Sequence, residues 1–316
     1  MVGYLYCALA MVTVGSTVVA SKVIAAGLPP FTATALRFMV ALPVFLVLCW
    51  LLRVRWPRIG RRDAALLVLQ AGAGSVGYTV LLISGMSFTS AATAGVLVGT
   101  LPIVTAAFAV LGLGERPTTR LLGAIALAAL GVIVASGVNW PLAGPAGSGT
   151  AQAVADVEAG VAHGAGQMLG MALVLAAVAC ESFFILLNKR LRAPIEALPL
   201  STLMCGLGLL LAAGASLAFE QPWQVSVSAG ALQAVLYYAL VPTVLGFVLW
   251  YAGAARISGA EAALFTALSP ISATLLANTV LHEAITPAQL AGMACVLAAV
   301  ASLAWKRTAY GRVEPL

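Results

Sequence analysis

The sequence predicts an all-α integral membrane protein of ten transmembrane helices, arranged as two inverted five-helix repeats. Three observations predict it: composition, the count of apolar runs, and a stretch of sequence that occurs twice. Of the 316 residues, 62% are hydrophobic and 8% charged, with a mean hydropathy of +1.06, whereas soluble domains carry about 25% charged residues. So little charge cannot cover a water-exposed surface. The apolar run from Tyr4 is already long enough to span, and no basic, apolar and small-residue cleavage pattern precedes it, so no removed signal peptide is expected.

A spanning helix needs about 20 apolar residues. Runs bounded by charge, Gly or Pro fall at 4–26, 30–52, 63–85, 88–112 and 118–138, then at 167–190, 198–219, 229–254, 258–280 and 286–305. Five precede and five follow an Ala- and Gly-rich stretch without Lys or Arg, which reads as a loose connector. The organisation is therefore a first five-helix repeat over 1–138, a connector over 139–166 and a second repeat over 167–316.

Residues 90–115 return 168 positions later as 258–283, in one ungapped register. Identities include Gly85/Gly253, Ser90/Ser258, Pro102/Pro270, Ile103/Ile271 and Glu115/Glu283. Matches of Ala and Leu mean little in this composition. A proline and a glutamate held thirteen residues apart in both copies mark an internal repeat.

Basic residues set the orientation. With a cytoplasmic N-terminus, the inner loops and tail hold Arg53, Arg55, Arg58, Arg61, Arg62, Arg116, Arg120, Lys189, Arg190, Arg192, Arg256, Lys306, Arg307 and Arg312, fourteen of the sixteen Lys and Arg. The outer loops hold none, and Lys22 and Arg37 lie in or at the ends of the first two helices. Both termini are thus expected in the cytoplasm. An odd number of spans separates equivalent positions, so the second repeat is inverted. Glu115 is expected at the inner end of its helix and Glu283 at the outer end of its own.

Gly15, Ser16, Lys22, Pro30 and Arg37, then Pro102, Glu115 and Gly123, with Pro270, Glu283 and Gly292 in the second half, together resemble the EamA-type, ten-helix members of the drug/metabolite transporter superfamily. The resemblance covers nearly the whole chain outside the connector. It departs at Val14, where such proteins often have Trp, and at LSTLMCG, which offers no counterpart of Arg37. It implies a carrier of small metabolites or drugs, often an exporter, with a central cavity between inverted halves; amino-acid exporters are prominent in it.

Inverted repeats place substrate sites near the bilayer midplane, where helices are broken. Pro102 and Pro270 are expected mid-helix, each freeing the carbonyl four residues earlier, at Val98 and Thr266. Such a kink either lines a cavity or is re-satisfied by a neighbouring helix. Gly74 and Pro242, equivalent in the register, form a second pair of weak points, so the expected hinges are Pro102, Pro270, Pro242 and Gly74. The substrate is expected between the two prolines of the first pair. Gly95 and Gly99 are read as close packing.

Glu181, Phe184 and Asn188 share one face of the sixth helix. A carboxylate there needs water or a partner: it recognises a substrate ammonium, carries a proton, or bonds Lys22 or another donor. Thr13, Thr17 and Ser21 form a hydroxyl stripe that either lines a cavity or bonds its own helix. The glycine-rich third helix places Ser75 and Tyr78, and the eighth Tyr238, at depth, where a tyrosine offers a stacking face and needs a hydroxyl partner. The candidate substrate site is thus Tyr78, Ser75, Thr17, Ser21, Glu181, Phe184, Asn188 and Tyr238. Trp50, Trp56, Trp250, Tyr251 and Trp305 belong to the interfacial belt.

No metal or cofactor is expected. His163 and His282 lack ligand spacing, and the five cysteines, odd in number, sit in apolar runs. No P-loop signature supports an ATP-driven pump. Nucleic acid is excluded as a partner, because the net charge of +6 lies in short inter-helix loops; the expected partners are a small-molecule substrate and the lipid bilayer. The function expected is a secondary transporter of a bacterial-type inner membrane, not an enzyme, exporting small metabolites, foremost hydrophobic or aromatic amino acids, by alternating access. The alternatives are a nucleotide-sugar or drug carrier of the same superfamily, and a membrane-embedded lipid-modifying enzyme. The lack of clustered His, Asp or Glu in the loops weighs against the enzyme.

Overall fold

The structure, a computed structural model, describes residues 2–113, 119–136, 151–188, 190–192, 195–224, 227–257, 265 and 268–309. All regular elements among them are helical. The first half holds α1 (Val2–Ala25), α2 (Pro30–Leu51), α3 (Arg61–Gln70), a π-helical segment (Ala71–Gly77), α4 (Tyr78–Met86), α5 (Ala91–Val98), α6 (Leu101–Leu113) and α7 (Thr119–Ser136). The second holds α8 (Ala151–Asn188), α9 (Ala197–Phe219), α10 (Ala229–Tyr238), a second π-helical segment (Ala239–Leu245), α11 (Gly246–Ala254), α12 (Leu268–Leu281) and α13 (Pro287–Ala309). Among the described residues seven helices are long and apolar enough to cross a membrane, and three shorter apolar helices lie at Leu121–Ala135, Leu268–Leu281 and Pro287–Ser302. The chain is a multi-pass membrane protein. Helix α8 starts at Ala151, inside the stretch read from sequence as a loose connector; the run AQAVADVEA is rich in good helix formers.

The two π-helical segments stand 168 residues apart at both ends, 71 to 239 and 77 to 245. Their sequences reach the same distortion differently. AGAGSVG contributes three glycines, which weaken a helix. ALVPTVL contributes Pro242, which has no N–H for the carbonyl of Tyr238 four residues earlier. The Thr243 hydroxyl donates to that carbonyl instead, at 2.7 Å, so the break leaves no orphan acceptor there. Gly74 and Pro242 sit within these segments, as the register predicts.

The other expected hinge pair is organised differently. The backbone breaks at Gly99–Thr100, and Pro102 falls in the first turn of α6 rather than mid-helix, where proline is tolerated because its missing donor is not needed. The Thr100 hydroxyl donates to the Leu97 carbonyl at 2.6 Å. Pro270 also lies in the first described turn of its helix. A Cβ on Gly99 would lie 3.0 and 3.1 Å from Pro270 Cβ and Cγ. Pro102 therefore marks a helix start, and the break before it at Gly99 packs on Pro270. Thr266, the second expected free carbonyl, lies outside the described residues.

Contacts between the halves depend on small residues. A Cβ on Gly85 would sit 3.0 Å from the Gly170 carbonyl, and one on Gly253 3.0 Å from the Gly3 carbonyl, so equivalent positions make equivalent crossings of α4 on α8 and α11 on α1. Gly95 admits Ala273 and Thr274, as the packing reading holds. Helix α2 packs chiefly on α9, α7 on α13 and α1 on α12. The main core joins Val18, Leu82, Leu97, Val174, Ala177 and Ala273 from both halves.

Carboxylates staple helix starts across the halves. Glu283 accepts from the backbone N–H groups of Ala91 and Ala92, at 3.1 Å each. Glu220 accepts from those of Phe31 and Thr32, at 2.8 and 2.6 Å. Both satisfy orphan donors at helix N-termini. Glu283 thus holds the start of another helix as well as following its own; Glu115 lies outside the described residues. Lys22 donates from Nζ to the carbonyls of Met86 and Thr89, at 2.7 Å each, closing the C-terminal end of α4. It does not pair with Glu181.

Gly15→Ala is expected to destabilise by about 1–3 kcal/mol, the usual result of overpacking. Its Cβ would meet Ser272 Oγ and lie 2.5 Å from the Ser269 carbonyl and 2.8 Å from the Ala273 nitrogen. Gly123→Ala, with nothing within 4 Å, leaves the melting temperature unchanged or raises it. Thermal melts of the detergent-purified variants, read by size-exclusion, decide it.

Candidate functional site

The polar groups of the membrane interior converge on Arg37 of α2. Its Nε donates to Thr243 Oγ1 at 2.9 Å, and its Nη1 to Thr79 Oγ1 at 2.7 Å. Its guanidinium carbon lies 4.1 Å from the centre of the Tyr238 ring and 5.0 Å from that of Phe38. One guanidinium therefore joins a residue inside the second π-helical segment to one two residues past the end of the first. Thr79 also donates to the Ser75 carbonyl at 2.9 Å, and Thr243 serves the Tyr238 carbonyl. Two hydroxyls and two ring faces make a charge tolerable at this depth.

Glu181 on α8 is half-buried, and Arg37 is its charged neighbour. No hydrogen bond or ion pair within 4.0 Å joins the two. A carboxyl group and a guanidinium thus lie within electrostatic reach of each other without a direct bond. Tyr78 borders both, with Tyr238 near it and the Thr17 side chain beside its hydroxyl. Thr17 itself donates to the Val14 carbonyl at 2.7 Å, and Thr13 to that of Ala10 at 2.7 Å; for these two the helix-bonded reading holds. Ser21 differs, being fully buried with an unpartnered hydroxyl.

The structure therefore brings together Thr17, Tyr78, Glu181 and Tyr238. Ser75 supplies a carbonyl at the edge of the cluster. Phe184 lies against the first π-helical segment, where a Cβ on Gly74 would come within 2.5 Å of Phe184 Cβ and Cγ; only glycine admits that ring. Asn188 is exposed at the last residue of α8, about 10 Å along the helix from Glu181, and stands apart. On the Lys22 side the cluster is sealed by Ile24, Leu28, Ala33, Ile83, Ala231 and Val235, all within 5% of full burial.

Sequence reasoning left out Arg37, Thr79 and Thr243, which hold the cluster together, because their spacing in the chain carries no motif. It also missed Gln70. That side chain is fully buried and both ends of its amide lack a partner. It occupies the register position of Tyr238, 168 residues earlier, and is a lone amide in an apolar run, which is the signal that marks it.

The EamA-like transporter family matches this sequence twice, over residues 1–137 and 168–305. The uncharacterized transporter YetK of Bacillus subtilis (strain 168) is 31% identical over 298 residues, covering 94% of this chain and 85% of that one. The uncharacterized transporter YdeK of the same organism is 28% identical over 273 residues, covering 81% and 87%. A crystal structure of a protein 21% identical superposes with a TM-score of 0.61 over 95% of this chain and 97% of that one, so the two share a fold.

Gln70→Leu is expected to raise stability by about 1–3 kcal/mol, because it removes two unsatisfied buried polar atoms at nearly constant volume. Gln70→Ala opens a cavity and gains less or loses. Melting temperatures of the two variants check this; a fall for Gln70→Leu means that the amide is satisfied in the folded protein.

Proposed function

The chain belongs to the EamA-like transporter family, and on that premise we propose that it is a secondary transporter that exports hydrophobic or aromatic amino acids by alternating access. Its ten helices form two inverted five-helix halves, 1–138 and 167–316, in a bacterial-type inner membrane with both termini in the cytoplasm. The twofold match to the family supports the doubling. The paired π-helical segments and the paired glycine crossings support a shared architecture of the halves. Fourteen of sixteen Lys and Arg on one predicted side support the orientation.

One observation carries the substrate. Glu181 and Arg37 lie within electrostatic reach of each other and of Tyr78 without a direct bond, with the Tyr238 ring under the guanidinium. A zwitterion completes that arrangement: its carboxylate takes the guanidinium, its ammonium takes Glu181, and an apolar side chain lies on the rings. A phosphorylated substrate needs several cations around its phosphate, and here a single guanidinium stands opposite a carboxylate. The two π-helical segments meet this cluster from both halves, so a change in either reaches the substrate contacts. They are the pivots of the exchange between inward and outward access, with Gly74 and Pro242 at their centres.

Reconstituted into liposomes, the protein is expected to release labelled leucine, phenylalanine or tryptophan faster than empty liposomes do, and not their N-acetyl derivatives. Glu181→Gln and Arg37→Gln each lower the efficiency of that release about 10- to 100-fold, the loss of one charged hydrogen bond of about 1.5–3 kcal/mol. No release above empty liposomes removes the transport reading for these solutes. Unchanged transport in Glu181→Gln removes the zwitterion contact while leaving transport standing.

A further inference from the structure

The loop between α2 and α3 carries chemistry that transport does not use. Residues 49–63, CWLLRVRWPRIGRRD, hold Arg53, Arg55, Arg58, Arg61 and Arg62 against one acidic residue, Asp63. All five arginines are exposed. Trp50 precedes them and Trp56 stands among them, 77% and 50% exposed. The loop joins two candidate spans, Pro30–Leu51 and Arg61–Met86, so it lies at the membrane–water boundary whichever way the chain is oriented. An open groove of about 690 Å³ runs along it, walled by Leu46, Trp50, Leu51, Val54 and Trp56 together with Arg53.

Arg53 has an unusual place in this groove. Helix α2 ends with Val54 N–H donating to the Cys49 carbonyl at 3.0 Å and Arg53 N–H to that of Trp50 at 3.2 Å. That is the bond pattern of a left-handed helix stop, a position commonly filled by glycine. Arg53 takes it at φ 48°, so an arginine replaces the residue the backbone prefers, at the wall of the groove. The equivalent stop of α9, at Gln221 with φ 46°, is followed by Trp223, with no Lys or Arg between residues 193 and 255. The same left-handed backbone conformation thus occurs once beside five cations and once beside none.

We infer that this groove is a binding site for an anionic phospholipid, with the headgroup phosphodiester on Arg53, Arg55 and Arg58 and the glycerol and upper acyl segments against Trp50, Leu51, Val54 and Trp56. The guanidinium fork matches phosphate oxygens in pairs, and clustered basic residues directly at the end of a spanning helix attract anionic lipid. The apolar wall commits the site to a lipid rather than a free anion, since inorganic phosphate leaves it uncovered. Phosphatidylcholine brings a compensating cation and gains little. The inference does not depend on the substrate or the direction of transport.

The test uses the full chain with Trp140, Trp223, Trp250 and Trp305 replaced by Phe, leaving Trp50 and Trp56 of the six tryptophans as the fluorescent reporters. In vesicles of phosphatidylcholine with increasing brominated phosphatidylglycerol, half-maximal quenching is expected at a several-fold lower mole fraction than with brominated phosphatidylcholine. The combined Arg53→Gln, Arg55→Gln and Arg58→Gln variant, folded as judged by elution and by unchanged quenching with brominated phosphatidylcholine, loses that preference. Raised salt weakens the preference, while inorganic phosphate at equal ionic strength adds nothing further. Equal quenching by the two lipids in the parent overturns the site and leaves the arginines only a topological role. Displacement by inorganic phosphate beyond the salt effect also overturns it, in favour of a free-anion site.

Discussion

The arrangement depends on how a guanidinium is kept inside an apolar bundle. Arg37 is bonded to one hydroxyl from each half and lies over an aromatic ring, and each of those partners sits at or beside a π-helical turn. In hydrocarbon an unserved charge is costly. The regular α-helix has no spare hydroxyl direction here, whereas the π turn brings Thr243 onto both the Tyr238 carbonyl and Arg37. Burial of the charge and distortion of the helix therefore support each other.

This coupling separates two kinds of irregularity that share the same repeat. The break after α5 is packed on α12, with Pro270 seated on Gly99, and forms part of the frame. The π-helical segments carry polar partners in one half and Gly74 against the Phe184 ring in the other, and so reach the cluster around Arg37. Small residues hold the frame together: Gly3, Gly85, Gly170 and Gly253 bring backbones into contact, as expected where packing rather than water expulsion drives helix association. Carboxylate staples at Ala91 and Thr32 fix helix starts without filling the interior.

Much of this was legible in the chain. Composition and apolar run length give the membrane and the helices, and a single offset of 168 in the sequence aligns Gly74 with Pro242. Tyr78, Tyr238, Glu181 and Thr17 were recoverable because a polar or aromatic residue in an apolar run requires a reason. Arg37 was undervalued as an isolated cation, since its partners Thr79 and Thr243 lie 42 and 206 residues away and only folding shows them as a set. Pro102 was misplaced because proline marks a helix start as readily as a kink, and the deciding residues, Gly99 and Thr100, act through backbone geometry. Asn188 shared a helical face with Glu181, but a face does not say how far along the axis a site extends.

The central claim, that an amphipathic zwitterion occupies the space between Arg37 and Glu181 beside the first π-helical segment, is tested most directly by chemical protection. Ser75→Cys in a background where the five native cysteines are replaced reacts with a maleimide at a rate set by access to that space. Phenylalanine or leucine is predicted to slow the reaction, and the N-acetyl derivative, which lacks the ammonium, to leave it unchanged. A labelling rate that neither compound alters, or that both alter equally, contradicts the account.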